Sequence, residues 1–134
     1  MSEHYDIASY IPQRPPFVFI DTIDEVSKER ARTRFTIPGS CPLVKEGILP
    51  LAGLMENAAQ TCATMGKGAT LYIGEVKHME VARFPRVGDT VCTEAKVIQE
   101  WLNLLRVECI TCVDDETIAT TTLKIATIID NVTK

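Results

Sequence analysis

The stretch Gly47–Gln60, "GILPLAGLMENAAQ", is apolar and rich in small residues, yet it carries one carboxylate, Glu56. A lone acid in such a setting has two readings. It can sit half exposed near a helix start, where the helix dipole favours negative charge. It can also act on a bound ligand as acid, base or nucleophile. No basic residue lies three or four places away to neutralise it, because Ala52, Gly53, Ala59 and Gln60 fill those positions, and buried glutamates are rare unless paired. The only imidazoles are His4, close to the terminus, and His78, in a segment with strand character; a lone strand histidine is more often packed or solvated than a base. Cys109 and Cys112 form a C-x-x-C, but in a strand positions three apart point to opposite faces. No second thiol pair or histidine lies close in sequence, so these two read as small packed or surface thiols. These residues call for no metal ion and no cofactor.

The element that must position Glu56 is a helix. It begins after Pro50, which is harmless in a first turn where an N–H has no partner anyway, and it ends near "MGKG", with Gly66 and Gly68 as stop signals. At 100° per residue Glu56 shares a face with Ala52, Gly53, Gln60, Ala63 and Thr64, while Leu51, Met55 and Cys62 lie on another side. Polar groups are few, which marks a buried helix. Small residues, Ala52, Gly53, Ala58, Ala59 and Ala63, allow it to approach a sheet closely. Strand patterns flank it. "FVFIDTIDEV" reads as a strand from Phe17 to Val26, and "ERARTRFTIP" alternates, with Ala31, Thr33, Phe35 and Ile37 on one face and Arg30, Arg32 and Arg34 on the other. Ser27-Lys28 reads as a tight turn between them. After the helix, "TLYIGEVKHMEVARF" gives one or two strands and "PRVGDT" a turn. Three more strands follow, "TVCTEAKVIQEW", "LLRVECITCV" and "ETIATTTLKIATIID", the last two joined at Asp114-Asp115. The order is two strands, a helix, then three or four strands: an α+β fold in which one helix buries itself against a mostly antiparallel sheet.

The whole chain, 1–134, reads as a single domain. Its composition, 46% hydrophobic and 24% charged, is that of a soluble globular protein, and the net charge of -4 argues against nucleic acid. No apolar run reaches the ~18 residues of a membrane span, and the first residues lack the pattern of a signal peptide. Five cysteines make no even framework, so they are expected to be reduced and the compartment to be the cytoplasm.

Three motifs, in order and at near-constant spacing, carry a resemblance. "YIPQRPPFVFIDTIDEV" resembles the N-terminal signature of the β-hydroxyacyl-acyl-carrier-protein dehydratases, the FabZ/FabA group, which commonly read L-P-H-R-x-P-F-L-L-[IV]-D. "GILPLAGLMENAAQ" resembles their G-H-x-P-G…E-x-M-A-Q segment, and comes especially close to the short-loop ApeP-like branch linked to aryl-polyene pathways. "ARFPRVGDTV" is similar to their A-R-F-x-x-P-V-x-P-G-D. The resemblance implies a hot-dog fold, one long central helix wrapped by an antiparallel sheet of five to six strands. It also implies a dimer with sheets joined edge to edge, and an acyl thioester of acyl carrier protein or coenzyme A in a tunnel at the dimer interface. A histidine of one subunit there removes the α-proton, an acid from the other subunit's helix assists loss of the β-hydroxyl, and N–H groups at the helix start hold the thioester oxygen.

By this resemblance Glu56 holds the position of the catalytic acid, and Ile48, Leu49, Pro50, Leu51, Ala52 and Gln60 hold the substrate-binding positions. The match breaks where chemistry is densest. Ile48 replaces the histidine, and isoleucine accepts no proton. Leu51 replaces the glycine after the proline, and Gln13 replaces the histidine of the first motif. General acid–base help is worth about 10²–10⁴-fold, so the chain is expected to be a degenerate dehydratase relative when alone. The first expectation is an acyl-thioester-binding protein that lends Glu56 to an active paralogue carrying a histidine, in a homodimer or heterodimer. The alternatives are a hot-dog thioesterase using Glu56 with Gln60, and a non-catalytic acyl-binding module. Lys77, Arg83 and Arg86 fall near the expected tunnel mouth, where they either meet an acidic carrier or form a solvated face.

Overall fold

The computed structural model describes residues 5–66 and 71–127. A short 3-10 turn (Ile7–Ser9) precedes β1 (Thr22–Val26) and β2 (Arg30–Thr36); then come α1 (Leu51–Thr64), β3 (Leu71–Val81), β4 (Thr90–Trp101), β5 (Leu104–Val113) and β6 (Glu116–Thr127). The six strands form one sheet in the order β1-β2-β4-β5-β6-β3, and every neighbouring pair is antiparallel. The helix lies across β2, β4 and β5. This is the hot-dog arrangement, with β3 as the one strand of the segment after the helix. No helix among the described residues is long and apolar enough to cross a membrane.

Alternation sets the inner face of the sheet. Ala31, Thr33, Phe35 and Ile37 are buried, and so are Val91, Thr93 and Ala95 on β4. The arginines between the buried β2 residues point outward and meet Glu94, Glu25 and Asp24 at 3.6, 3.6 and 2.8 Å. These exposed pairs each contribute at most about 1 kcal/mol. The strand connections follow their chemistry. Asp114 and Asp115 both have positive φ, 51° and 67°, as a two-residue hairpin turn of type I′ requires.

The core has two parts. Large side chains, Phe19, Phe35, Leu49, Leu54 and Ile118, fill the end near the helix start, where the Phe19 and Phe35 rings stack 5.4 Å apart. Small ones, Ala31, Ala58, Cys62, Ala95 and Cys109, line the middle and bring helix and sheet together. Cys109 Sγ lies there 3.4 Å from Cys62 Sγ, while Cys112 is only half-buried and hydrogen-bonds Thr117 on β6. The two thiols of the C-x-x-C therefore face opposite sides, as strand geometry requires.

Two expectations are corrected. The helix is not apolar on its buried side: Asn57, Gln60, Thr61 and Thr64 have no exposed surface, whereas Leu51 is 48% exposed. Each buried group has a partner, which removes the desolvation cost of about 1–3 kcal/mol per unmet group. The Thr61 hydroxyl donates to Asn57 O and meets the Thr33 hydroxyl, both at 2.8 Å. The Thr93 hydroxyl donates to Asn57 Oδ1 at 2.6 Å. The second correction concerns residues 17–21, which are not strand. Their backbone groups bond to helix side chains: Phe19 N–H to Gln60 Oε1 at 2.7 Å, and Asn57 Nδ2 to Phe19 O at 2.8 Å. Gly66 lies just past the helix end, as expected; Gly68 and residues 128–130 of the last expected strand lie outside the described residues.

Candidate functional site

The loop before the helix is built by backbone bonds. Glu46 and Gly47 have positive φ, 54° and 78°, and they turn the chain so that Lys45 and Ile48 bond each other at 2.9 and 3.0 Å. Ile48 is bridged on its other side to Arg86. Leu49 N–H reaches Pro85 O, and Val87 N–H reaches Gly47 O, both at 2.9 Å. The 85–89 turn is fixed in its own right: Asp89 Oδ2 accepts from Arg86 N–H at 2.9 Å. Gly88 N–H bonds Ile37 O at 2.9 Å, tying the turn to the end of β2.

This loop feeds the helix through Pro50. Gly53 and Leu54 N–H bond Pro50 O at 2.9 and 3.1 Å, and no side chain caps the helix. The N–H groups of Leu51 and Ala52 therefore precede the first helical bond and face the helix start as free donors. Gly53 is demanded by packing. A Cβ there would lie 2.2 Å from Leu49 Cδ1, and Leu49 is fully buried.

Glu56 is half-buried on the open side of the helix, together with Ala52, Ala59, Ala63 and Gly66, none of which is fully buried. Its Oε2 accepts a hydrogen bond from Gln60 Nε2 at 2.9 Å. Gln60 Nε2 also donates to Phe17 O at 2.9 Å. Two concavities of about 410 and 440 Å³ lie elsewhere, one between the ends of β3 and β6 and one against the N-terminal segment, and Glu56 lines neither. One chain thus supplies a single wall beside this carboxylate: a helix face, two free N–H groups and the Ile48 loop.

The expected site residues fall into two groups. Ile48, Pro50 and Glu56 are half-buried at the surface, and Leu51 and Ala52 are exposed at the helix start. Leu49 and Gln60 are wholly buried, with Leu49 in the core and the Gln60 amide spent on Phe17, Phe19 and Glu56. Neither presents surface on which a ligand could rest. His78 lies on the outer face of β3. Its side chain is 60% exposed and meets Glu80 at 3.3 Å, on the face of β3 opposite Met79 and Val81, which pack against the core. His4 lies outside the described residues. Lys77 and Arg83 are engaged with Glu75 and Glu116 at 3.6 and 3.2 Å; Arg86 is exposed without an ion pair among the described residues. Asn57 escaped the sequence reading. Its signal was present: polar residues at 57, 60, 61 and 64 repeat at i, i+3, i+4 and i+7, the spacing of a buried helix face.

The model of the ApeP-like family, described as ApeP dehydratase, matches residues 5–132. The chain is 28% identical over 125 residues to the 3-hydroxyacyl-[acyl-carrier-protein] dehydratase FabZ of Thermotoga petrophila, covering 84% of this chain and 88% of that protein. It is 27% identical over 133 residues to the FabZ of Lactiplantibacillus plantarum, covering 90% of each. Among solved structures, the dehydratase heterocomplex ApeI:P from Xenorhabdus doucetiae matches with a TM-score of 0.85 at 13% identity, over 95% of this chain and 93% of that one. A hypothetical thioesterase from Streptococcus pneumoniae, solved with coenzyme A, matches with a TM-score of 0.69 at 8% identity, over 79% of this chain and 84% of that one. At these identities the structures speak for the fold.

Proposed function

Because this chain belongs to the ApeP-like dehydratase family, we propose that it binds acyl thioesters, of acyl carrier protein or coenzyme A, and lends Glu56 to a composite site completed by a histidine-bearing hot-dog partner. Alone, or paired only with itself, it is a poor dehydratase. The observation that carries this reading is an accessible Glu56 beside a helix start that carries Ile48, which stands where the resembled motif has its histidine and cannot take a proton. The open helix face supports a second chain as the other wall. Relatives named as 3-hydroxyacyl dehydratases, and a like-folded chain from a heterocomplex, agree with it. Five free thiols suit a reducing cytoplasm.

The chemistry divides between the chains. The partner's imidazole takes the α-proton of a 3-hydroxyacyl thioester, and the electron pair forms the Cα–Cβ double bond. The Cβ–O bond breaks as Glu56 gives its proton to the departing hydroxyl, which leaves as water. Leu51 and Ala52 N–H groups donate to the thioester oxygen as negative charge builds there. The exposed Leu51 side chain, which stands where the resembled motif has glycine, narrows the approach to those donors.

The test is hydration of crotonyl and longer trans-2-enoyl thioesters, followed by loss of enoyl absorbance. The purified chain should show background turnover. Activity should appear on mixing with a histidine-bearing paralogue, or on Ile48→His, and vanish again with Glu56→Gln. Strong turnover by the unmodified chain alone would refute the reading. One specific feature favours a second reading: a thioesterase needs the helix carboxylate but no histidine at position 48. Hydrolysis of saturated acyl thioesters that depends on Glu56 would establish that reading instead.

A further inference from the structure

Gln60 is fully buried, and its amide has no freedom left. Oε1 accepts from Phe19 N–H at 2.7 Å. Of the two Nε2 protons, one goes to Phe17 O at 2.9 Å and the other to Glu56 Oε2 at 2.9 Å. The backbone partners fix which end of the amide is which: a flipped amide would aim its oxygen at Phe17 O and its protons at Phe19 N–H, breaking both bonds. A donor therefore always faces Glu56, and it faces one oxygen only. We infer that Gln60 is a positioning residue, which holds Glu56 by Oε2 so that Oε1 is the oxygen presented to the ligand. This rests on the acyl-thioester reading and adds to it. Proton exchange with the substrate runs through Oε1, because a carboxamide N–H neither takes nor supplies a proton there. The same amide pins residues 17–19, so the carboxylate's aim and the seat of the N-terminal segment are set by one side chain.

A purely structural Gln60 would behave like Asn57, which pins the same segment at Phe19 O but does not touch Glu56. The comparison uses the chain assembled with its histidine-bearing partner, or the Ile48→His chain, hydrating crotonyl-pantetheine. Gln60→Met should lower kcat about 10–100-fold and leave KM within about twofold, the scale on which small misplacements act. Asn57→Ala should lower Tm at least as far yet keep kcat within about twofold. A second measurement needs neither turnover nor the Gln60 variant. In the ¹H–¹⁵N spectrum of the unliganded chain, the two Gln60 carboxamide protons should be distinct and protected from exchange, and Glu56→Ala should shift one of them strongly. If that proton stays in place, or if Gln60→Met and Asn57→Ala lose kcat alike, the inference is overturned. Absence of turnover in every combination would sink the acyl-thioester reading alone, and the resonance shift would then decide the role of Gln60.

Discussion

Replacing Gly53 by alanine ought to stabilise an ordinary helix, since alanine gains about 1 kcal/mol over glycine in a helix interior. Here the sign should reverse. The new Cβ would lie 2.2 Å from Leu49 Cδ1 and 2.5 Å from its Cγ, where carbon contacts settle near ~3.5–4 Å. Leu49 cannot yield by more than an ångström, because it is fully buried among Phe19, Phe35, Leu54 and Ile118. Overpacking of this kind costs about 1–3 kcal/mol. Near the upper end of that range, the net is a loss of about 1–2 kcal/mol. Urea denaturation at one fixed protein concentration measures it. The sharper test is a cycle with Leu49→Ala, which by itself should cost about 2–5 kcal/mol. In that background the obstructing atoms are gone, so Gly53→Ala should now stabilise by about 1 kcal/mol. A Gly53→Ala variant as stable as the parent or more so, or one whose effect is the same with and without Leu49, would refute the packing argument.

Two further outcomes concern stability. Leu102 sits at the first position of the β4–β5 turn with φ 46° and is 96% exposed; Leu102→Gly removes left-handed strain of roughly 1 kcal/mol and should raise Tm without altering ligand binding. Cys62 is held above its ordinary value of 9.0 by its hydrogen bond with Cys109 and by burial. Its folded form keeps the proton that the unfolded chain releases. The stability it contributes is therefore complete below pH 9 and is lost as pH climbs above that value. The urea midpoint should fall in that window, and Cys62→Ala should flatten the fall.

Elements with strict periodicity were legible in the sequence. The bounds of β4 and β5 coincide with their patterns, and β2 alternates as its residues do, because a sheet with one buried face writes itself in a period of two. Residues 17–20 misled for the same reason: they are apolar and extended, but Phe17 and Phe19 bond to the amides of Asn57 and Gln60, about forty positions later, which no local pattern reveals. The helix misled in the opposite direction. Alanines drew the eye to the face that lies open, while its buried side carries four polar residues, met by hydroxyls on β2 and β4, by the backbone of residues 17–19 and by the helix itself. That Glu56 lies on the helix one turn from Gln60 was readable from helical spacing; its bond to Gln60 was not, since an i, i+4 pair of acid and amide looks like any solvated helix surface.

Among the described residues β3 pairs with β6 only, so one whole edge of an eleven-residue strand faces outward with its backbone groups unclaimed. Tyr72, Ile73 and Val76 are exposed on it, interrupted by Glu75, Lys77, His78 and Glu80. Such an edge accepts any extended segment that reaches it, including a half-made copy of the same chain leaving a ribosome. The charges act as gatekeepers, since an incoming strand must offset each of them or leave it beside a mismatched neighbour. For a cell this turns expression level into a structural variable: unless another strand covers the edge, surplus chain carries it exposed, and its fate is decided by chaperones and proteases.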